Sequence, residues 1–224
     1  MSQFLDPQIR SRYLPAGVSM MLIFCLVAGV SAVLIALRMG SLATEIAEES
    51  TRPDSAAGSL SPIFTPEIQY WAADIVRWSA TYSLDPDMVA TVMQIESCGN
   101  PVVASPAGAQ GLFQVMPYHF ADGENPLDPE TNARRGLTFL AELMAELEGN
   151  SGLAFAGYNG GMGAATSSMD QWADETRRYF YWSTNIYREA KTAGGSPTLQ
   201  EWLAAGGAIL CQWAAGELDI QDLE

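Results

Sequence analysis

The apolar positions divide the chain into three regimes. Over residues 16–37 no charged side chain interrupts AGVSMMLIFCLVAGVSAVLIAL, a run of 22 residues. About 20 helical residues cross a hydrocarbon core, so the run predicts a transmembrane helix. A buried core helix would not be apolar on every face. A signal-peptide core is shorter, about 7–15 residues, and ends in a small-residue cleavage site that has no counterpart here. Arg10 and Arg12 precede the run and Arg38 follows it. The positive-inside bias therefore puts the short tail 1–15 in the cytoplasm and the rest of the chain on the extracytoplasmic side. Residues 38–64 are rich in Ser, Ala, Gly, Thr, Pro and Glu without a sustained apolar period, which predicts a flexible linker.

Beyond residue 64 the period becomes helical. Ile68, Ala72, Ile75 and Trp78 form one stripe, and Leu137, Leu140, Leu143 and Met144 form another. Thr65-Pro66-Glu67, Asp85-Pro86-Asp87 and Asp128-Pro129-Glu130 each offer an N-cap, a proline at the first helical position and an acid for the helix dipole. Ser196-Pro197 opens a further helix in the same way. Gly/Asn/Pro clusters at 99–101, 106–111 and 157–163 are expected to divide the helices. No run alternates as a strand would. The expectation is an all-α domain over 65–192 with a C-terminal helical extension, 193–224, interrupted at Gly206-Gly207 and packed on that domain.

Composition narrows the chemistry. The chain has 26 acidic and 11 basic residues, a net charge of −15 with a single lysine, Lys191. Tracking phosphates needs clustered Lys and Arg, so a nucleic-acid partner is excluded. One histidine, His119, removes paired-His metal sites, and Cys25, Cys98 and Cys211 are too few for a four-thiolate site. No metal and no organic cofactor is implied. The reacting groups are expected to be carboxylates.

One carboxylate stands out. Val89, Val92, Met93 and Glu96 fall at offsets 0, 3, 4 and 7, a single helical face, so Glu96 continues an apolar stripe. Gly99 is placed as the left-handed stop and Pro101 follows, which puts Glu96 at the negative end of the helix dipole. Burial and dipole both disfavour the charged form, as a general acid requires. Periodicity alone leaves the alternative open that the side chain bends out to water. The next acids, Asp122, Glu124 and Asp128, lie in a loop or cap a helix, so no second catalytic carboxylate is evident.

The residues downstream carry a resemblance. Ile95-Glu96-Ser97 with Asn100-Pro101 is followed by Ser105-Pro106-Ala107-Gly108-Ala109-Gln110-Gly111-Leu112-Phe113-Gln114-Val115-Met116-Pro117. Asp128-Pro129 with Asn132 and Gly136 come next, then Ala156-Gly157-Tyr158-Asn159-Gly160-Gly161, and last Glu175-Thr176 with Tyr179. In order and spacing, over residues 85–179, these resemble the lysozyme-like lytic transglycosylase domain of the soluble-lytic-transglycosylase family. The resemblance implies an α-helical lysozyme-like fold and cleavage of peptidoglycan glycan strands, with Glu96 as acid/base. It also implies that Ser105, Gln114, Tyr158 and Asn159 line the sugar groove. The family usually has Met at 113 and Ala at 157 and 160, so Phe113 is expected to alter sugar packing and the two glycines to loosen their turn.

Other residues keep two readings at this stage. Gln114 and Asn159 suit sugar hydroxyls and acetamido groups but equally cap turns. Tyr158 is expected in the groove and Tyr179 mostly in the core, with Met116 and Ser97 in support and Glu175 buttressing the site through hydrogen bonds. The stretch RRYFYW (177–182) reads as helical core before groove lining. His119 is expected at the groove rim with no necessary role. Cys98 and Cys211, an even pair in an oxidising compartment, are either a disulfide or two buried thiols. Three functions follow: a membrane-anchored lytic transglycosylase leaving 1,6-anhydro ends, a hydrolytic goose-type-like lysozyme, or a non-cleaving peptidoglycan-binding module of cell-wall or secretion machinery.

Overall fold

Each proline-led start predicted above opens a helix. The computed structural model describes residues 59–192 and 194–220, and the tail, the apolar run over 16–37 and the linker up to 58 lie outside the described residues. Among the described residues no helix is long and apolar enough to cross a membrane. The helices are α1 (Pro66–Tyr70), α2 (Ala72–Tyr82), α3 (Pro86–Ser97), α4 (Pro129–Glu146), α5 (Ser151–Thr166), α6 (Asp174–Ala190), α7 (Pro197–Trp202) and α8 (Ala208–Glu217). Two single-turn 3₁₀ segments, Pro117–His119 and Met169–Gln171, lie between them. Pairing of β type among the described residues amounts to two isolated bridges, Ala104 with Gln110 and Gln110 with Val115.

The caps work as side-chain chemistry requires. Asp85 accepts from the Asp87 N–H, Asp128 from the Thr131 N–H and Ser196 from the Leu199 N–H. Thr65 does not cap α1; its hydroxyl donates to Gln94 Oε1 instead. Four expectations are corrected. The stripe from Ile68 to Trp78 is not one helix but two, broken at Trp71, whose indole N–H is anchored on the Gly99 carbonyl at 2.9 Å. The cluster 157–163 lies within α5 and does not separate helices; Gly161 (φ 77°, ψ 172°) redirects the helix in a conformation essentially confined to glycine. Helix α3 stops at Ser97, with Cys98 (φ 49°) already left-handed ahead of Gly99. The folded part begins before residue 65. Phe64 is buried, Leu60 and Ile63 pack on the core, and Ser61 donates to Asp87 and accepts from Gln69. Three apolar side chains are enough to dock a stretch whose average composition reads as linker.

Helix α3 is the axis of the core, with Met88 through Gln94 all buried, and it packs against α2, α6 and α8. The α4, α5 and α6 helices pack in sequence, contributing Leu137, Leu140, Leu143 and Phe155 to the same core. The C-terminal segment folds onto the domain through α8, whose Cys211 is bonded to Cys98 with a Cα–Cα distance of 5.0 Å. That bridge closes on a sequence separation of 113 residues and fixes the end of α3.

The loop between α3 and α4 contains a peptide buried without regular structure. Leu112 and Phe113 are wholly inaccessible, so their polar backbone groups need partners. Three helices supply partners for three of these four groups. Ser97 of α3 donates to the Leu112 carbonyl at 2.7 Å, Asn132 of α4 accepts from the Phe113 N–H at 2.8 Å, and Tyr158 of α5 donates to the Phe113 carbonyl at 2.9 Å. Asn132 also donates to the Gln110 and Pro126 carbonyls, both at 2.8 Å, which leaves its amide fully satisfied.

Two outcomes are expected. Asn132→Leu strands several buried polar groups at once and should lower unfolding free energy by about 3–5 kcal/mol, read by urea denaturation, well beyond a surface substitution. Cys211→Ser should cost about 2–4 kcal/mol under non-reducing conditions and nothing further once the wild-type chain is reduced.

Candidate active site

The stripe on α3 ends in an opening. Val89, Val92 and Met93 are fully buried, and Glu96, one step further along that face, is only partly exposed. Its side chain lines a cleft of about 840 Å³ together with Ser105, Gln114, Met116, Tyr158, Asn159 and Glu175. Seven of the residues singled out in the sequence therefore meet in one cavity. The two others near it stand behind: Ser97 is buried and turned to the loop backbone, and Tyr179 is buried within α6.

The polar side chains of the cleft are partly committed to holding it. Gln114, in a left-handed conformation (φ 47°), donates its amide to the Val103 and Gly111 carbonyls, which leaves its oxygen free to accept. Asn159 accepts from the Thr176 hydroxyl at 2.9 Å, and Ser105 Oγ accepts from the Ala109 N–H. Gln114 thus braces its turn while Asn159 ties α5 to α6, and both line the cleft. Glu175 is corrected in detail. It is exposed at the cleft edge, makes no side-chain hydrogen bond among the described contacts, and acts on Glu96 through its charge.

Three expectations drawn from departures in the motif also change. Phe113 does not reach the groove; it is wholly buried, edge-on to Trp78 at 6.1 Å. Gly157 and Gly160 lie inside α5 and let neighbouring side chains approach it closely. A Cβ at 157 would meet Leu143 Cδ2 at 2.8 Å, and one at 160 would meet Ala164 Cβ at 2.7 Å and Thr176 Oγ1 at 2.8 Å. The stretch 177–182 is divided between faces, with Tyr179 buried, Phe180 and Trp182 half-buried and Tyr181 exposed.

Burial pushes the Glu96 carboxyl up from the ordinary 4.5 to about 8; the Tyr179 hydroxyl opposes this by favouring the charged form, and the Glu175 charge adds to it. Tyr179 is buried without a full hydrogen bond for its hydroxyl, which is the donor offered to Glu96. Tyr158 and Tyr179 are both held well above their usual range, first by burial and then by the Glu96 charge. Glu124 goes the other way, down to about 2, because Arg134, the Ala121 N–H and Arg135 surround it. It belongs to an ion-pair cluster with Arg134 and Arg135, which removes it from the reacting groups.

Sequence reasoning missed part of the wall. Arg135, Thr138, Phe139 and Glu142 of α4 line the cleft, as do Tyr118 and Met162; His119, expected at the rim, lines it as well. The four α4 residues recur at offsets 0, 3, 4 and 7, so a search for a second stripe opposite Leu137, Leu140 and Leu143 would have found them.

The raised Glu96 carries a signed pH dependence. Between pH 4.5 and 8 the folded chain keeps a proton that the unfolded chain has lost, so its contribution to stability is complete below about 4.5 and disappears as pH rises through about 8. Glu96→Gln has no such proton. It should match the wild type near pH 4 and exceed it by a few kcal/mol, at most about 5, near pH 9. Parallel pH profiles for the two chains in urea denaturation would contradict a buried, protonated Glu96.

Residues 74–180 match the family described as the Transglycosylase SLT domain. The chain is 37% identical over 114 residues to the "Transglycosylase" of Enterobacteria phage PRD1, a match covering 50% of this chain and 40% of that protein. It is 31% identical over 99 residues to the "Soluble lytic murein transglycosylase" of Salmonella typhimurium, covering 39% and 15%. With the "Endo-type membrane-bound lytic murein transglycosylase A" of Klebsiella pneumoniae it shares 34% over 62 residues, covering 25% and 30%. The chain spans less than half the length of each of these relatives. Motif order, helical fold and family match coincide on one segment, residues 74–180, which is similar to the transglycosylase SLT domain.

Proposed function

We propose that this protein is a membrane-anchored lytic transglycosylase that cleaves the peptidoglycan strand between N-acetylmuramic acid and N-acetylglucosamine, with Glu96 as its one acid/base. The observation that carries the reading is the carboxyl of Glu96, desolvated and raised to about 8, at the inner wall of an 840 Å³ cleft. A carboxylic acid that keeps its proton at neutral pH is the donor a leaving sugar oxygen needs. The match of residues 74–180 to the SLT domain supports the substrate class.

In this mechanism Glu96 gives its proton to the bridging oxygen as the bond from that oxygen to the muramic C1 breaks. The N-acetyl carbonyl oxygen of the same sugar bonds to C1 and carries the positive charge that develops. Glu96, now a carboxylate, takes the proton of the C6 hydroxyl. The C6 oxygen displaces the acetamido oxygen from C1 and closes a 1,6-anhydro ring, with Glu96 reprotonated and no water consumed. An internal nucleophile holds an effective molarity of about 10⁵–10⁸ M, so exclusion of water is enough to favour this outcome. Ser105, Gln114, Tyr158 and Asn159 are assigned to binding the strand, Met116 to the adjoining wall, and Ser97, Glu175 and Tyr179 to support of Glu96. Residues 16–37 serve as the anchor, N-terminus inside, with the cleft on the extracytoplasmic side. A place beside cell-wall or secretion machinery fits that topology.

Hydrolysis is the second reading, and one observation favours it: Glu175 is an exposed carboxylate at the same cleft, the group that would activate water. Digestion of purified sacculi separates the two, because the anhydro product is one water lighter in the mass spectrum. Lytic turnover should yield anhydro ends, fall about 10²–10⁴-fold in Glu96→Gln, and decline above about pH 8 as the acid loses its proton. Hydrated ends would assign the chain to the lysozyme reaction, and undiminished turnover by Glu96→Gln would overturn the role of that residue. Binding of sacculi without any turnover would leave a non-cleaving module.

A further inference from the structure

One wall of the cleft is built of rings in contact, and it runs outward past the residues given a role above. Tyr158 lies at the inner end, where it feels the Glu96 charge. Phe139 of α4 sits 5.7 Å from it, ring centre to ring centre. His119 stacks on Phe139 at 6.2 Å with the planes only 23° apart, and Tyr118 packs on His119 at 4.4 Å. All four line the same cleft. At the outer end Tyr118 is 74% exposed, the most accessible of the exposed large apolar side chains. An aromatic ring scattered alone on a surface needs no explanation. This one ends a continuous row that starts beside Glu96, on a 3₁₀ turn fixed by Pro117.

The wall also has the polarity that a saccharide requires. Sugar rings offer apolar C–H faces for stacking and hydroxyls around their edges. Rings of Tyr and His present an apolar face with a polar tip, and Thr138 and Glu142 supply acceptors along the same side of the cleft. A cleft of about 840 Å³ is at the upper end of the about 300–1,000 Å³ usual for ligand sites, which suits an extended ligand better than a single ring. A protein partner would find no unbroken apolar patch here, because the row lies inside a concave surface.

We infer that Tyr118 and His119 form an outer saccharide platform, a subsite that binds a sugar of the same strand beyond those held at Glu96 and sets a preference for longer glycans. The inference rests on the glycan reading of the cleft, and the platform acts on strand binding, not on the bond cleaved. Tyr118 is a specificity-determining residue: it contacts substrate only when the strand is long enough to reach it.

The single histidine of the chain makes the platform directly observable, because one set of imidazole signals needs no further assignment. The full-length chain carrying Glu96→Gln is titrated with N-acetylglucosamine oligomers of two and of six units while the imidazole carbon-bound protons are followed by NMR. The six-unit oligomer should shift these signals saturably, the two-unit oligomer much less, and Tyr118→Ala should weaken the longer oligomer about tenfold while Tyr118→Phe keeps it, tenfold corresponding to about 1.4 kcal/mol. Imidazole signals that stay fixed while the oligomer saturates the cleft, or equal weakening of both lengths by Tyr118→Ala, would overturn the platform. Turnover of sacculi is scored separately on the chain with Glu96 intact, where Tyr118→Ala should raise KM for long strands and leave kcat unchanged. A chain that binds the long oligomer through His119 yet cleaves nothing would refute the catalytic reading and uphold the platform. No shift in a chain that does cleave would do the reverse.

Discussion

The structure depends on a buried peptide that has no secondary structure to satisfy it. Leu112 and Phe113 sit where α3, α4 and α5 converge, and each helix sends in one side chain to pair their backbone groups: Ser97, Asn132 and Tyr158. An unpaired buried amide or carbonyl costs about 1–3 kcal/mol, so three pairings amount to a sizeable share of a domain's stability. Energy is only part of their effect. Because the donors and acceptor come from different helices, the relative positions of those helices are set by hydrogen-bond geometry, which is directional where apolar packing is not. Glu96 belongs to the first of these helices, Phe139 to the second and Asn159 to the third. The cleft is thus registered by the peptide beneath it.

The same geometry accounts for the electrostatics. Glu96 sits one residue from Ser97, which is turned to Leu112, and two from Cys98, which is bonded to α8. The end of α3 is thus fixed on both sides, and burial there raises the pKa of the Glu96 carboxyl. The carbonyls of the last helical turn add to the disfavour of negative charge. A net charge of −15 works in the same direction at long range, although salt screens it. At Glu124 the opposite holds, since Arg134 and Arg135 stand close enough to hold that carboxylate ionised. Two glutamates on one domain are thereby held in opposite states by local surroundings alone.

Much of this was legible in the sequence because short-range chemistry determined it. Aspartate or serine before proline located the starts of α3, α4 and α7, and the 3–4 spacing of Val89, Val92, Met93 and Glu96 placed the acid on the core face. What the sequence hid depended on contacts between distant residues. The break at Trp71 follows from an indole bond to Gly99, 28 residues away, and the docking of Phe64 from a core assembled by later helices. Composition averaged over 38–64 could not show three apolar side chains at its end. Phe113 read as a groove residue because its neighbours are; the buried backbone that turns it toward Trp78 is a tertiary event. Phe139 was missed for a simpler reason: only the apolar stripe of α4 was sought, and the cleft uses the opposite one.

That second stripe shows how closely the floor and the wall are coupled. Gly136 lies on α4 between the two stripes, and a Cβ there would meet Phe113 Cβ at 2.6 Å and the Tyr158 hydroxyl at 2.9 Å. Its lack of a side chain lets the buried peptide and the Tyr158 ring approach the helix. The approach of Tyr158 brings its hydroxyl within reach of the Phe113 carbonyl and its ring against Phe139. One position without a side chain therefore sets both the hydrogen bond that satisfies the floor and the ring contact that begins the wall. Any larger residue at 136 must displace the Phe113 or Tyr158 side chain, so floor and wall are coupled at this position. The cleft beside Glu96 behaves as one packed unit, not as a set of loops that vary independently.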